Sequence, residues 1–170
     1  MQELISKANT LLEALPYIQR FSGATFVVKY GGSFMDSSDE ALRTGVARDV
    51  VFLEAVEINP VVVHGGGKRI NKRLAEAEVD SRFVNGLRYT DAATVEIVNR
   101  VLSAEINPEI VNLINSLGGV AKGSAGTEIF TCKRHAPDYE DYGFVGEVTA
   151  VNTAQLEDCI AQGITPVISP

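Results

Sequence analysis

Short, nearly continuous apolar runs alternate along the chain with segments whose apolar residues have helical spacing. The runs fall at residues 26–30, 61–64 and 164–169, and their length is typical of buried strands. Between them, apolar residues recur every three or four positions, as on one face of a helix. This alternation predicts an α/β fold of three layers, in which helices cover both faces of a mainly parallel central sheet.

The first 20 residues predict an amphipathic helix that precedes the first strand. One stripe of this helix would hold most of its apolar side chains: Leu4, Ile5, Ala8, Leu11, Leu12, Leu15 and Ile18. Pro16 is expected to kink or split the helix, since proline cannot donate a backbone hydrogen bond in a helix interior. Two roles are open for the apolar stripe: it covers the domain itself, or it lies against another subunit.

Local signals mark the ends of other elements. Ser38 is predicted to cap the helix of residues 36–56, which forms the crossover between the first two strands. Asn107-Pro108 has the pattern of a helix start, which predicts that a separate helix begins there. Asn85-Gly86 lies between two short apolar runs and is a strong signal for a β-hairpin. The hairpin would therefore project from the sheet after the second strand and its helix.

The last predicted strand is unusual because only Pro170 follows it. A buried core strand is normally followed by further elements of the fold. The position of residues 164–169 therefore predicts that the sequence ends within a larger fold, which is truncated here. We expect this strand to lack neighbours and to leave an apolar edge exposed, which favours self-association.

Composition narrows the classes of function. The chain has 170 residues, 45% of them hydrophobic, and a formal net charge of −7. This acidic balance gives no reason to expect nucleic acid or an anionic membrane surface as a partner. Cys132 and Cys159 have no second cysteine at metal-binding or redox spacing, which indicates free thiols in a reducing compartment. No apolar run is long enough to span a bilayer, so a cytoplasmic protein is expected.

Glycines directly follow two of the predicted strands. Lys29-Tyr30-Gly31-Gly32 ends the first strand, and Gly65-Gly66-Gly67 lies between the second strand and a helix. Glycine lets backbone N–H groups approach an anion closely, and Lys29 adds a mobile positive charge. The spacing matches neither a dinucleotide-binding nor a Walker-type loop. Together the two junctions predict one phosphate-bearing ligand, although Gly31-Gly32 alone also fits a plain turn.

The remaining polar candidates each have a structural and a functional interpretation. His64 is either an imidazole bonded to backbone, which is the commoner role, or a catalytic group. Arg88 follows the hairpin turn, where it forms a surface salt bridge or binds a substrate carboxylate through its planar fork. Asp138, Glu140 and Asp141 are interpreted as a solvated loop, because no histidine or paired acid accompanies them. No protein metal site is predicted.

Four ordered motifs resemble the acetylglutamate kinases of the amino acid kinase family over nearly the whole chain. They are K-Y-G-G at 29–32, V-V-V-H-G-G-G at 61–67, F-V-N-G-L-R-Y-T-D at 83–91 and G-F-V-G-E-V at 143–148. The resemblance implies the amino acid kinase (carbamate kinase-like) fold, with residues 1–20 as an N-terminal helix extension. Residues 21–170 would then be the substrate-binding N-terminal lobe, and the ATP-binding C-terminal lobe would be absent.

The resemblance also implies roles for single residues. Lys29 resembles the catalytic lysine that stabilises the transferring phosphoryl group, and Gly31-Gly32 resembles the glycines whose N–H groups bind the nucleotide phosphates. Gly65-Gly66-Gly67 resembles the loop between substrate and phosphates. Arg88 resembles the arginine that holds a carboxylate of the substrate. Residues 123–128 depart from the family, because they lack the lysine and aspartate of the corresponding segment.

The activity implied by the resemblance is a phosphoryl transfer. ATP, with Mg²⁺, would donate its γ-phosphoryl group to the side-chain carboxylate of N-acetyl-L-glutamate, a step of arginine biosynthesis. A homodimer is implied, or a hexamer joined through the N-terminal helix, and the 170-residue chain alone is expected to be inactive. Kinases for other amino-acid carboxylates, such as aspartate or glutamate, and a non-catalytic acetylglutamate-binding or regulatory module are the alternatives.

Overall fold

A four-stranded parallel sheet organises the part of the chain that the structure, a computed structural model, describes: residues 1–31, 39–136 and 141–170. Its strands are β1 (Thr25–Tyr30), β2 (Asn59–His64), β5 (Ala121–Ala125) and β8 (Thr165–Ser169). They lie in the order β1-β2-β8-β5. Two antiparallel pairs lie outside this sheet: β3 (Phe83–Val84) with β4 (Leu87–Arg88), and β6 (Phe130–Arg134) with β7 (Gly146–Val151). The predicted parallel sheet and the predicted hairpin are both confirmed.

Helices make up most of the other described residues. Their bounds are α1 (Gln2–Phe21), α2 (Glu40–Ala55), α3 (Gly67–Glu76), α4 (Ala92–Asn99), a π-helical segment (Arg100–Ile106), α5 (Asn107–Ser116), α6 (Gly126–Ile129) and α7 (Ala154–Ala161). Buried side chains from α2, α3, α4, the π-helical segment and α5 pack on one face of the sheet. Side chains of α6 and α7 pack on the other. The three-layer architecture predicted from the hydrophobic pattern is therefore confirmed.

The central strands contribute alternate residues to two hydrophobic clusters. Val62 and Val167 belong to the larger cluster, under α2, α3 and α5, together with Tyr30 at the end of β1. Val61 and Ile168, their neighbours in sequence, belong to the smaller cluster on the opposite face. Successive side chains of a strand point to opposite faces, so β2 and β8 are buried on both sides. Nearly continuous apolar runs are the expected sequence for such strands.

The stretch from α4 to α5 is continuous. Asn99, Arg100, Ile106 and Asn107 all have right-handed helical backbone angles, so no break separates the two helices. The Asn107 N–H donates to the carbonyl of Leu102, five residues earlier, which is the bonding of a π turn. The prediction that a separate helix begins at Asn107 is therefore wrong, and its side chain is free for another role.

β8 occupies the interior of the sheet. It pairs with β2 on one side and with β5 on the other, and all of its residues are buried. The expectation that residues 164–169 lack neighbours and expose an apolar edge is therefore wrong. The hydrophobic pattern of one strand does not show whether it inserts between two strands that precede it in the chain.

α2 begins with a side-chain cap. Asp39 is the N-cap, and its Oδ1 accepts a hydrogen bond of 2.9 Å from the Ala41 N–H. The predicted cap, Ser38, lies outside the described residues. An acidic residue at this position satisfies one N–H of the first turn and also complements the positive end of the helix dipole.

α1 is a single helix that continues through Pro16, so the proline does not split it. None of its residues is buried, and its apolar stripe faces outward: Leu4 and Leu11 are 71% and 68% exposed. The stripe therefore does not cover the described part of the chain, which was one of its two candidate roles. Contact with another subunit stays a prediction.

Candidate functional site

The carboxyl ends of β1 and β2 bring the two glycine junctions side by side. The strand register places Tyr30 opposite His64, the last residue of each strand. The Gly65 N–H donates to the Tyr30 carbonyl oxygen over 3.1 Å, so the pairing continues into the second junction. Gly31, which follows Tyr30, therefore lies beside Gly65. Gly32 lies outside the described residues.

Packing explains only the middle residue of Gly65-Gly66-Gly67. A Cβ on Gly66 would lie 2.6 Å from Ile106 Cδ1 and 2.8 Å from Leu102 Cδ2, too close for real atoms. A Cβ on Gly65 or Gly67 would meet no atom of the described chain within 4 Å. A ligand that comes close to the backbone would account for glycine at these two open positions.

Helix α3 begins directly at this glycine loop. Its N-cap is Gly66, which has no side chain to bond the first turn. The first bond within the helix runs from the Ile70 N–H to the Gly66 carbonyl over 2.9 Å, so the N–H groups of residues 67 and 68 have no acceptor inside the helix. N–H groups at the start of a helix and the helix dipole together favour an anion at this end of α3.

Lys29 supplies a positive charge at the same edge of the sheet. It is the penultimate residue of β1, and its side chain is exposed on the face opposite to the buried Tyr30. Within residues 1–31, 39–136 and 141–170, no carboxylate forms an ion pair with it. Its flexible ammonium group is therefore available to an anion that lies over the glycine junctions.

Arg88 is held by neutral side chains. In β4 it donates hydrogen bonds to Ser81 Oγ and, over 2.6 Å, to Asn71 Oδ1 of α3, and its guanidinium carbon lies 4.7 Å from the centre of the Phe83 ring. The surface salt bridge considered from the sequence is not present among the described residues. Partial burial lowers the pKa of Arg88, but a guanidinium remains protonated in proteins. No carboxylate of the described residues pairs with its half-buried charge, and one from a ligand would do so.

The segment after the acidic loop holds the hairpin in place. The Thr90 N–H donates to the Tyr142 carbonyl over 3.1 Å, and the Phe144 N–H donates to the Thr90 carbonyl over 2.6 Å. At the hairpin turn, Asn85 Nδ2 donates to the Tyr142 hydroxyl over 3.0 Å. Sequence reasoning missed this support, because the partners are more than fifty residues apart and neither motif shows that it contacts the other.

His64 lies inside the fold and not at the surface of the loop. It is 1% exposed, its Nδ1 is 3.2 Å from the Gly65 carbonyl oxygen, and its Nε2 is 3.2 Å from Asn107 Nδ2. Burial lowers the pKa of His64 and keeps the ring neutral near pH 7. This is the structural role that the sequence favoured. Asn107 was missed, because Asn-Pro has the same local pattern as a helix cap.

The described part of the chain contains neither a metal-binding cluster nor a membrane-spanning helix. No group of three or more histidine, cysteine, aspartate or glutamate side chains within it is placed to hold a metal ion. Of the acidic loop, Asp141 is described, and its Oδ1 accepts a bond of 2.7 Å from Arg134. No helix among these residues has the length and the apolar character needed to cross a membrane.

The arrangement is suited to binding an anion and stabilising its charge. The open glycine backbone and the first turn of α3 lie at the carboxyl edge of β1 and β2, Lys29 is the penultimate residue of β1, and Arg88 is bonded to α3. Fixed N–H donors and cations stabilise charge that develops during group transfer. This combination on a three-layer α/β fold defines the class: the chain belongs to the amino acid kinase family, which residues 24–170 match.

Within that family, acetylglutamate kinases are among the similar proteins. The chain is 46% identical to the acetylglutamate kinase of Geotalea uraniireducens, over 100% of this chain and 61% of the relative. Identity to the enzyme of Desulforamulus reducens is 49%, over 98% and 58%. Identity to that of Thermosynechococcus vestitus is also 49%, over 96% and 55%. The chain therefore spans between 55% and 61% of the length of these three relatives.

Solved structures share the fold at low sequence identity. N-acetylglutamate synthase from Neisseria gonorrhoeae, complexed with coenzyme A and N-acetyl-glutamate, matches with a TM-score of 0.80 and 18% identity over 95% of this chain and 37% of that one. Isopentenyl phosphate kinase matches with a TM-score of 0.54 and 17% identity over 85% and 55%. At such identities the likeness describes the fold and not the reaction.

Proposed function

We propose that the full-length protein is an acetylglutamate kinase and that this chain forms the lobe that binds N-acetyl-L-glutamate. The observation that carries the proposal is the identity of 46% to 49% with acetylglutamate kinases over nearly the whole chain. The reaction transfers the γ-phosphoryl group of ATP to the side-chain carboxylate of N-acetyl-L-glutamate, as in arginine biosynthesis. Residues 1–20 would be an N-terminal extension and residues 21–170 the substrate lobe.

The chemistry of this reaction agrees with the groups at the site. The attacking carboxylate has an ordinary pKa of about 4.3, so it is already ionised at neutral pH and needs no general base. His64, the imidazole beside the glycine loop, is buried and bonded to Gly65 and Asn107. Catalysis would therefore rest on in-line positioning and on neutralising the charge of the transferring group.

Each site residue has a distinct role in the proposal. Lys29 contacts the transferring phosphoryl group, and Gly31 and Gly32 donate backbone hydrogen bonds to the nucleotide phosphates. Gly65-Gly66-Gly67 separates the acceptor from those phosphates, and its open outer backbone at Gly65 and Gly67 supports this role. Arg88 holds a carboxylate of N-acetyl-L-glutamate, supported by its half-buried and uncompensated charge. The planar fork of arginine matches a carboxylate in two hydrogen bonds.

Mg²⁺ would enter the site with ATP. Mg²⁺ is commonly held by substrate phosphates and one or two carboxylates, with several waters retained, so a complete protein cage is not required. Bound with the nucleotide, the metal would supply positive charge and so reduce the charge that the protein must neutralise. Lys29 and the N–H groups of the two glycine junctions would neutralise the remainder.

The proposal extends to assembly and location. The exposed apolar stripe of α1 supports a contact between subunits. We propose a homodimer, and contacts through this helix could join three such dimers into a hexamer. Cys132 and Cys159 are free thiols, which supports a reducing, cytoplasmic location. Light scattering of the full-length protein, with and without residues 1–20, would test the assembly: loss of the helix should reduce the hexamer to dimers.

An acceptor panel tests the activity. The purified full-length protein should form ADP in the presence of N-acetyl-L-glutamate, and much less with aspartate, glutamate or carbamate. A preference for aspartate or glutamate would assign the chain to another member of the family, and acetylglutamate binding without turnover would make it a binding module. Residues 1–170 alone should be inactive, since the relatives are far longer than the chain.

A further inference from the structure

A buried chain of hydrogen bonds connects β8, α5 and the glycine loop. Asn107 Nδ2 lies 2.8 Å from the Val167 carbonyl oxygen and 3.2 Å from His64 Nε2. On the other side of the same ring, His64 Nδ1 lies 3.2 Å from the Gly65 carbonyl oxygen. Asn107 and His64 are 6% and 1% exposed, so water does not compete for these bonds.

Only one assignment of the hydrogen atoms satisfies every donor and acceptor in this series of hydrogen bonds. The Val167 carbonyl can only accept, so the Asn107 atom that faces it must be the amide nitrogen. The second hydrogen of that nitrogen is then directed to His64 Nε2, which must accept it. The single hydrogen of the neutral ring is therefore on Nδ1, from which it is donated to Gly65.

Two features of the backbone make room for Asn107. The π turn, closed by the bond from its own N–H to Leu102, carries its side chain into the interior between β2 and β8. Gly123 of β5 lies against the amide, where a Cβ would overlap Asn107 Oδ1. Any larger residue at position 123 would push the amide away from His64. The sequence thus provides space for this asparagine at the cost of a glycine in a strand.

We propose that Asn107 is a positioning residue for the glycine loop, acting through the tautomer of His64. Because a trans peptide is planar, a Gly65 carbonyl held toward His64 directs the Gly66 N–H the opposite way. The ring would thereby fix the peptide at which the loop meets phosphate or acceptor. This inference rests on the proposed function, which gives the loop its ligand.

Histidine ¹⁵N spectra of the full-length protein test the tautomer without any measurement of activity. With His64→Gln used to identify the signals, His64 should show a protonated Nδ1 and an unprotonated Nε2 at pH 7. A protonated Nε2 at that pH would overturn the proposal. The tautomer is observed in the wild-type protein, and the variant serves only to assign the signals.

A matched pair of variants distinguishes the roles of the two ring nitrogens of His64. Asparagine at position 64 keeps a donor near the place of Nδ1, whereas glutamine keeps a polar atom near Nε2. His64→Asn should therefore retain most of the kcat/KM, and His64→Gln should lose about fivefold to tenfold, the effect of one net hydrogen bond. The reverse order would show that the ring only joins β2 to α5, which contradicts a role in the loop.

A double-mutant cycle tests whether Asn107 acts through His64. Asn107→Ala should lower kcat/KM about fivefold to tenfold in the wild-type background and change it by less than about twofold in the His64→Asn background. An equal loss in both backgrounds would overturn the proposal, even if both variants are less stable. If the full-length protein phosphorylates no acetylglutamate, the proposed function fails, and the ¹⁵N spectra still decide the tautomer.

Discussion

Arg88 Nη2 donates to Asn71 Oδ1 over 2.6 Å, and this bond joins the β-hairpin to the helix that the glycine loop opens. Asn71 lies in α3, one turn after Gly67. The Arg88 guanidinium is also stacked over Phe83, so its fork has a defined direction before any ligand arrives. Pre-orientation of this kind lowers the conformational entropy that binding must remove. The proposed acceptor site and the proposed phosphate site would thus be held by one helix.

Replacement of Arg88 by lysine should weaken N-acetyl-L-glutamate binding and leave ATP affinity nearly unchanged. Lysine keeps the positive charge but loses the planar fork that matches a carboxylate. Isothermal titration of the full-length protein with each ligand measures both effects. Arg82→Lys is the matched control, because Arg82 is on the same hairpin and its guanidinium carbon lies 3.9 Å from the Tyr89 ring centre. Equal acetylglutamate affinity in wild type and Arg88→Lys would contradict the assignment.

Loss of the Lys29 side chain should reduce turnover far more than it raises the KM for acetylglutamate. An interaction made with charge that develops in the transition state affects kcat, and removal of one such contact costs about 3 kcal/mol, or about 100-fold in rate. Steady-state kinetics of Lys29→Ala in the full-length protein give both constants. Lys122→Ala is the control, because Lys122 is an exposed lysine of β5, at the other edge of the sheet. An unchanged kcat would remove Lys29 from the mechanism.

Alanine substitutions at Gly66 and Gly67 should have different effects, the first on packing and the second on ligand binding. Gly66→Ala forces a methyl group against Ile106 and Leu102, which should destabilise the protein by about 1–3 kcal/mol. Gly67→Ala adds its methyl group in open space, so stability should stay within about 0.5 kcal/mol while nucleotide or acceptor binding weakens. Urea unfolding and ligand titration of both variants measure this contrast. Wild-type binding in Gly67→Ala would indicate that no ligand approaches there.

Stability should depend on pH through His64. Its folded-state pKa is lowered by burial, so between that value and the ordinary pKa of about 6.5 the unfolded chain binds more protons than the folded one. Stability should therefore be highest above about pH 6.5 and fall as the pH is lowered from there. Urea unfolding between about pH 5 and pH 7.5 measures the slope. His64→Gln should flatten it, and an unchanged slope in that variant would contradict the prediction.

Short sequence patterns predicted the hairpin turn and the buried strands, because each of these depends on residues that are adjacent in the chain. Asn85 and Gly86 both have positive φ, 49° and 84°, which is the backbone of a tight hairpin turn and the reason that this dipeptide predicts one. β1 and β2 were predicted because buried parallel strands need continuous apolar runs. Once β1 and β2 are predicted to be parallel, the glycines that follow them are placed at the same edge of the sheet, because the carboxyl ends of parallel strands share one edge.

The parts that escaped prediction depend on contacts between distant segments. Asn107-Pro108 resembles a helix start in every local respect, and only the approach of His64 and Val167 gives the amide its actual partners. Asn71 and Tyr142 likewise have ordinary sequence surroundings and gain their roles from the hairpin packed beside them. Such side chains bond across elements, and no periodicity along the chain reports them.

The central place of β8 also has a consequence for how the protein forms during synthesis. β2 and β5 do not pair with each other, so a nascent chain ending before Thr165 has two separated sheet parts with unpaired edges. Such long-range closure is slow and exposes the chain to misassembly until it is complete. Force measurements on translationally arrested chains should register the folding of the sheet only after Ser169 has left the ribosomal exit tunnel.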